Sequence, residues 1–157
     1  MIDEKVHNAF QEFLKPWEEY AESILPVGSW MIHKRSREYV KVTSIRFDMP
    51  DEFFNASFTV GSTNNIPTKF DYFMSEFDFV DQEKSKVLDD LFELIEDLRK
   101  SYIVKEFFTF QMFEHCIVLD SKYHGFFNND ETKEYSYSQT NDLIRDLKEC
   151  VIGDLAI

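Results

Sequence analysis

Site chemistry needs nucleophiles, bases or metal ligands at workable spacing, and this chain has few. Its histidines are His7, His33, His115 and His124. None stands in the His-Glu-x-x-His, His-x-x-x-His or Cys-x-x-Cys spacing that would turn two ligands toward one zinc ion. His115 and Cys116 are neighbours in a stretch patterned as strand. Successive strand side chains face opposite ways, so these two cannot form the thiol–imidazole pair that an activated cysteine requires. Cys116 and Cys150 are expected as free, buried thiols. Carboxylate pairs are plentiful, and Asp89, Glu93 and Asp97 follow one another at intervals of four. General acid–base work by such a pair needs a tuned pKa, which an exposed helix face does not supply. Asn128-Asn129-Asp130-Glu131 lacks the remaining alternate ligands of a calcium loop. The expectation is a protein that is not an enzyme and uses no cofactor and no metal.

Carboxylates in number charge a surface instead. The chain carries 30 Asp and Glu against 17 Lys and Arg, a net charge of -13. From Asp48 to Asp97 thirteen acids meet three bases (Lys69, Lys84, Lys86), a balance of 13 − 3 = 10 negative charges. Such crowding costs self-repulsion, and a basic partner is a reason to keep it. Nucleic acid is disfavoured as that partner, because phosphate contacts demand clustered cations. The one basic cluster, Lys34, Arg35, Arg37, Lys41 and Arg46, has the pattern of a solvated hairpin.

Between residues 70 and 80 aromatics interleave with acids: Phe70, Tyr72, Phe73, Phe77 and Phe79 with Asp71, Glu76 and Asp78. Carboxylates there can stand where phosphates would, and Tyr72, Phe73, Phe77 and Tyr102 could serve as anchors. The expected contact set is Asp71, Tyr72, Glu76, Asp78, Asp89, Glu93 and Asp97.

The elements that must position these residues follow from periodicity. Residues 3–25 have helical spacing through Val6, Phe10, Phe13, Leu14, Trp17, Tyr20, Ala21 and Ile24, with Glu12, Glu18, Glu19 and Glu22 opposite. Pro16 should kink this helix or start a second one. Residues 29–47 alternate as two strands turning near 34–37, and Phe53 to Val60 is a third, after a turn at 48–51. Residues 70–80 suggest a short strand or an ordered loop. Asp81 is placed to cap a helix running to Tyr102, with Val87, Leu88, Leu91, Phe92, Ile95, Leu98 and Tyr102 as its stripe. Phe107 to Leu119 is patterned as a hairpin turning near Phe113-Glu114, with strands covered on both faces. Residues 123–137 look irregular. Ser138 can cap a last helix to Cys150 or Val151, with Leu143, Ile144, Leu147 and Val151 as its stripe.

A hydrophobic fraction of 43%, with 17% aromatic, is enough to bury a core, so the acidity belongs to a folded domain and not to a tail. The expected fold is a single α+β domain over residues 1–157, an antiparallel sheet of about five strands with packed helices. There is no apolar run near 18 residues and no basic, then apolar, N-terminus, so a cytoplasmic location is expected and Asn55-Ala56-Ser57 is not expected to be glycosylated.

The stretch Ile24-Leu25-Pro26-Val27-Gly28-Ser29-Trp30 leads from the first helix into strands. Asp89 to Arg99 then precedes Phe107-Phe108-Thr109-Phe110-Gln111-Met112-Phe113 and a strand ending Leu119-Asp120. Over residues 8–125 this order resembles the YezG-like immunity proteins, small acidic antitoxins against secreted bacterial nuclease toxins. The C-terminal segment departs from that pattern. The resemblance implies a non-catalytic partner of a toxin in interbacterial competition; with the acidic surface, the expectation is an immunity protein that binds a basic toxin, a nuclease domain, and blocks it by occlusion. The alternative is a phage-encoded acidic mimic of nucleic acid that inhibits a host defence nuclease.

Overall fold

The computed structural model describes residues 3–48, 57–121 and 132–155. The turn expected at 48–51, Phe54 and Ala56 of the expected third strand, the Asn55 sequon, His124 and the Asn128–Glu131 run lie outside them, as do the side chains of Cys150 and Val151. Among the described residues the fold is α+β, with five α-helices and eight strands, every pairing antiparallel. Three short strands account for the excess over the expected five: β4 (Thr68–Lys69), β5 (Phe77–Phe79) and β8 (Thr132–Tyr135). Elements of two to four residues are too short to display a period of two. No helix among the described residues is long and apolar enough to cross a membrane.

The chain packs as two compact units, Met1–Arg35 with Val40–Val80, and Ser36–Tyr39 with Asp81–Ile157. The first holds α1 (Glu4–Ile24), β1 (Trp30–His33), most of β2 (Glu38–Asp48), β3 (Ser57–Ser62), β4, α2 (Phe70–Glu76) and β5. The Asp3 carboxylate caps α1 by accepting from the Lys5 amide. The helix runs through Pro16 as one element, with no second helix starting there. Pro16 is exposed, so the Glu12 carbonyl that loses its amide donor lies on the solvent side, where water can satisfy it. β2 pairs with β3, with a bulge at Val42–Ser44 opposite Gly61. A side chain at Gly61 would collide with the Ser44 hydroxyl, which is why the smallest residue stands there. Ala21, Leu25, Met31, Val40, Val42, Ile45, Val60, Phe73 and Phe77 form one core cluster, with Phe58, Phe70 and Met74 packed on it.

The stretch 70–80 is the main correction. Its first seven residues are a helix, α2, and the short strand expected there is confined to β5. Phe70, Phe73, Met74 and Phe77 recur at threes and fours, which is helical spacing. Phe73 stacks on Phe77 with centroids 4.3 Å apart.

The second unit holds α3 (Gln82–Leu98), α4 (Tyr102–Phe107), β6 (Phe108–Phe113), β7 (Ile117–Ser121), β8 and α5 (Thr140–Leu155), joined by Glu38 and Tyr39 of β2, which pair with β6. Asp81 caps α3 as expected, its carboxylate accepting from the Lys84 amide at 2.8 Å. The helix ends at Leu98, short of Tyr102, and Val87 is exposed, so the buried stripe narrows to Leu88, Leu91 and Ile95. The hairpin turns after Phe113 as expected. His115 and Cys116 lie in its connection, not in a strand, and Thr109 and Gln111 are exposed, so β6 is covered on one face only. The last helix is preceded by a 3-10 turn, Tyr137–Gln139. There Ser136, not Ser138, makes a capping box with Gln139. Leu143 and Leu147 of α5 are fully buried.

Tyr135, 1% exposed, donates its hydroxyl to Asp146 Oδ2 at 2.5 Å and so joins β8 to α5. Burial pushes the Asp146 carboxyl up. The Tyr135 hydroxyl, the Lys133 ammonium at 3.2 Å and Arg145 outweigh this and hold it below the usual carboxylate range. A depressed folded pKa contributes stability that is present above the unfolded pKa and is lost as pH falls through the folded value. Asp146→Asn should cost about 1–3 kcal/mol at pH 7 by weakening a charge-assisted bond. The gap to the parent should narrow below pH 4, as urea unfolding at pH 7 and pH 3 will show.

Candidate partner-binding surfaces

The expected contact residues fall in two sets, one in each unit. In the first unit, Asp71 and Tyr72 open α2, Glu76 ends it, and Asp78 sits mid-strand in β5 opposite Ile32 of β1. Asp71, Tyr72 and Asp78 are exposed, Tyr72 by 60%, and Glu76 is half-buried. Two of these carboxylates face basic side chains of their own unit: Glu76 lies 3.6 Å from His33 Nε2 and Asp78 3.9 Å from Lys34 Nζ. The Lys34–Asp78 pair is exposed, and pairs of that kind are worth about 0–1 kcal/mol, so a more basic surface could compete for it. Phe73 and Phe77, expected as anchors, are buried in the core. They hold the acids in place and are not offered to a partner.

In the second unit Asp89, Glu93 and Asp97 climb α3 at intervals of one turn, about 12 Å from first to last. Asp89 is half-buried; Glu93 and Asp97 are exposed. Asp97 pairs with Lys100 at 2.9 Å and Glu96 with Arg99 at 3.0 Å. The Asp97 carboxylate holds the Lys100 ammonium above its usual range, so the last turn is locally neutralised. Val87 and Leu94, both about half exposed, share the helix with these acids. Tyr102, at 72% exposure, is open to solvent and available as an anchor.

The bases of the hairpin turn are likewise engaged within their units, Lys34 with Asp78 and Arg37 with Glu114, whose carboxyl is held low first by the Arg37 hydrogen bond. Burial pushes the Cys116 thiol up, which keeps it protonated at neutral pH and ill suited to nucleophilic attack. Among the described residues no group of three or more His, Cys, Asp and Glu side chains could hold a metal ion.

One feature of the first unit was not expected from sequence. A groove of about 630 Å³ is lined chiefly by Trp17, Tyr20 and Ile24 of α1, Phe47 of β2, Phe58 of β3 and Phe70 of α2, with Lys69 and Asp71 also on its wall. Its rings form a chain: Trp17 to Phe47 at 6.0 Å, Phe47 to Phe58 at 5.2 Å, Phe58 to Phe70 at 6.0 Å. The signal lay in α1, whose apolar positions span an arc too wide for one buried stripe. Leu14, Ala21 and Leu25 are buried, whereas Val6, Phe13, Trp17, Tyr20 and Ile24 are 40–62% exposed.

Comparison with protein-family models, with curated proteins and with solved structures finds no match for this chain.

The two tryptophans differ sharply: Trp17 is 49% exposed on the groove and Trp30 is 2% exposed. Trp17→Phe should leave only blue-shifted emission and remove most of the quenching by acrylamide. A residual red, quenchable emission would mean that Trp30 is not buried.

Proposed function

We propose that this protein is an immunity protein, an antitoxin that binds a basic bacterial toxin, a nuclease in the first instance, and neutralises it by occlusion. The observation that carries the reading is the row of carboxylates on α3, Asp89, Glu93 and Asp97, displayed on the more acidic unit. That unit's sequence holds eighteen acids and ten bases, a balance of 18 − 10 = 8 negative charges. A field of this sign attracts a cationic partner over roughly a Debye length, about 8 Å at physiological salt, and can raise the association rate toward about 10⁸–10⁹ M⁻¹s⁻¹. A toxin that must be captured before it reaches its target makes that speed useful. The second acidic set, Asp71, Tyr72, Glu76 and Asp78, adds an exposed tyrosine to its carboxylates, a combination suited to a contact anchored by an aromatic ring.

The test is capture of partners by the tagged protein from the cells that produce it, at low and at high salt, with mass spectrometry. A single basic, nuclease-like protein should be retained and then released by salt. Glu93→Lys combined with Asp97→Lys should weaken its binding by about tenfold or more at low salt and flatten the salt dependence. Unchanged affinity and an unchanged salt slope would remove the α3 face from the site.

A further inference from the structure

We propose that the aromatic groove of the first unit is a docking site for an amphipathic helical segment of the basic partner, bearing Lys or Arg along its polar side. This rests on the reading of the protein as a binder of a basic partner and names the part of that partner the groove would hold.

Shape speaks for a helix. The exposed side chains of α1, Val6, Phe13, Trp17, Tyr20 and Ile24, are separated by threes, fours and a seven, and so form one stripe. From Val6 to Ile24 that stripe is about 27 Å long. A rod with apolar residues at the same spacing can lie along it and set its side chains into the groove at the Trp17–Ile24 end, the helix-in-groove mode of recognition. The groove is about 630 Å³, and its ring chain is already assembled, so little ordering is required on binding.

Charge selects among the possible occupants. Asp71 sits on the groove wall, and the unit's sequence holds twelve acids and seven bases, a balance of 12 − 7 = 5 negative charges, to which Glu12, Glu18, Glu19 and Glu22 on the far side of α1 contribute. Lys69, the groove's cation, donates to Ser57 Oγ at 2.9 Å. A second copy of this chain would bring the same negative balance, and an anionic membrane surface would be repelled. A cationic helix is attracted on its polar side while its apolar side is buried.

The probe is an eighteen-residue Leu–Lys peptide with leucines at i, i+3, i+4 and i+7, titrated into the full chain while Trp17 emission is followed. Two controls are a peptide with Glu in place of Lys and one with the same leucines scattered around the helix. Tyr20→Ser with Ile24→Ser leaves the charge unchanged and alters only exposed side chains, and circular dichroism checks that it folds. The Leu–Lys peptide should shift Trp17 emission to the blue. Both the scattered peptide and the Tyr20→Ser, Ile24→Ser variant should bind about tenfold or more weakly, and the Glu peptide should not bind. Equal binding of the scattered peptide, or no effect of the serine substitutions, would overturn the proposal. So would a blue shift produced only by zwitterionic vesicles, which assigns the face to a membrane. A dimer in sedimentation that these substitutions dissociate assigns it to a second copy and overturns it too. The titration needs no toxin, so it fails or succeeds separately from the capture experiment on which the antitoxin reading depends.

Discussion

Thirty carboxylates have to be kept in water, and the rest of the fold is arranged around that requirement. Burying an ionised group without compensation costs several kcal/mol, more than a marginally stable domain can absorb many times over. Accordingly, the buried polar or charged residues among those described are two serines, Ser62 and Ser121, and no carboxylate is among them. Asp146, whose side chain is only 16% exposed, comes nearest, and it is met by a tyrosine hydroxyl and two cationic side chains. Each helix can therefore give the core only a narrow stripe. The width lost on the helices is recovered with rings, since Phe, Tyr and Trp bury large areas per residue.

The two units solve this differently. In the second, α3 turns Leu88, Leu91 and Ile95 inward and leaves acids on its outer side, so its surface chemistry is mainly charge. In the first, α1 carries more apolar surface than the core takes up, and the surplus forms the groove wall. Charge acts at a distance and governs encounter. Apolar contact acts only once water is expelled and governs residence.

Much of the fold was legible in the sequence because long elements repeat their pattern several times. α1, α3, β2 and the β6–β7 hairpin could be placed from periodicity, as could the Asp81 cap from its position before the stripe. What was not legible had a physical reason. β4, β5 and β8 are too short to show alternation, and their pairing is decided by long-range register. α2 is seven residues long, and its interleaved acids imitated the period of a strand. Tyr102 matched the stripe of α3 by number but not by location, because the helix stops at Leu98, and Val87, within the helix, stands at the exposed edge of the stripe. The sequence offers seven candidate contact residues, but not the division of that set between two units, nor the groove, whose wall is drawn from five elements, α1, β2, β3, β4 and α2.

Phe73 and Phe77 show how an error of this kind can still inform function. As surface anchors they would supply contact area directly. As a buried stack they fix the α2–β5 corner, so Asp71, Tyr72, Glu76 and Asp78 are presented from backbone that binding need not order. Two of these carboxylates already face His33 and Lys34, and under the proposed reading exchanging the exposed Lys34–Asp78 pair for a partner's cation would yield little net energy. On the proposed reading, long residence on this unit would have to come from apolar surface, and the exposed rings of Trp17, Tyr20 and Tyr72 are where that surface is found. Speed from carboxylates and persistence from rings are separable, because they reside on different side chains.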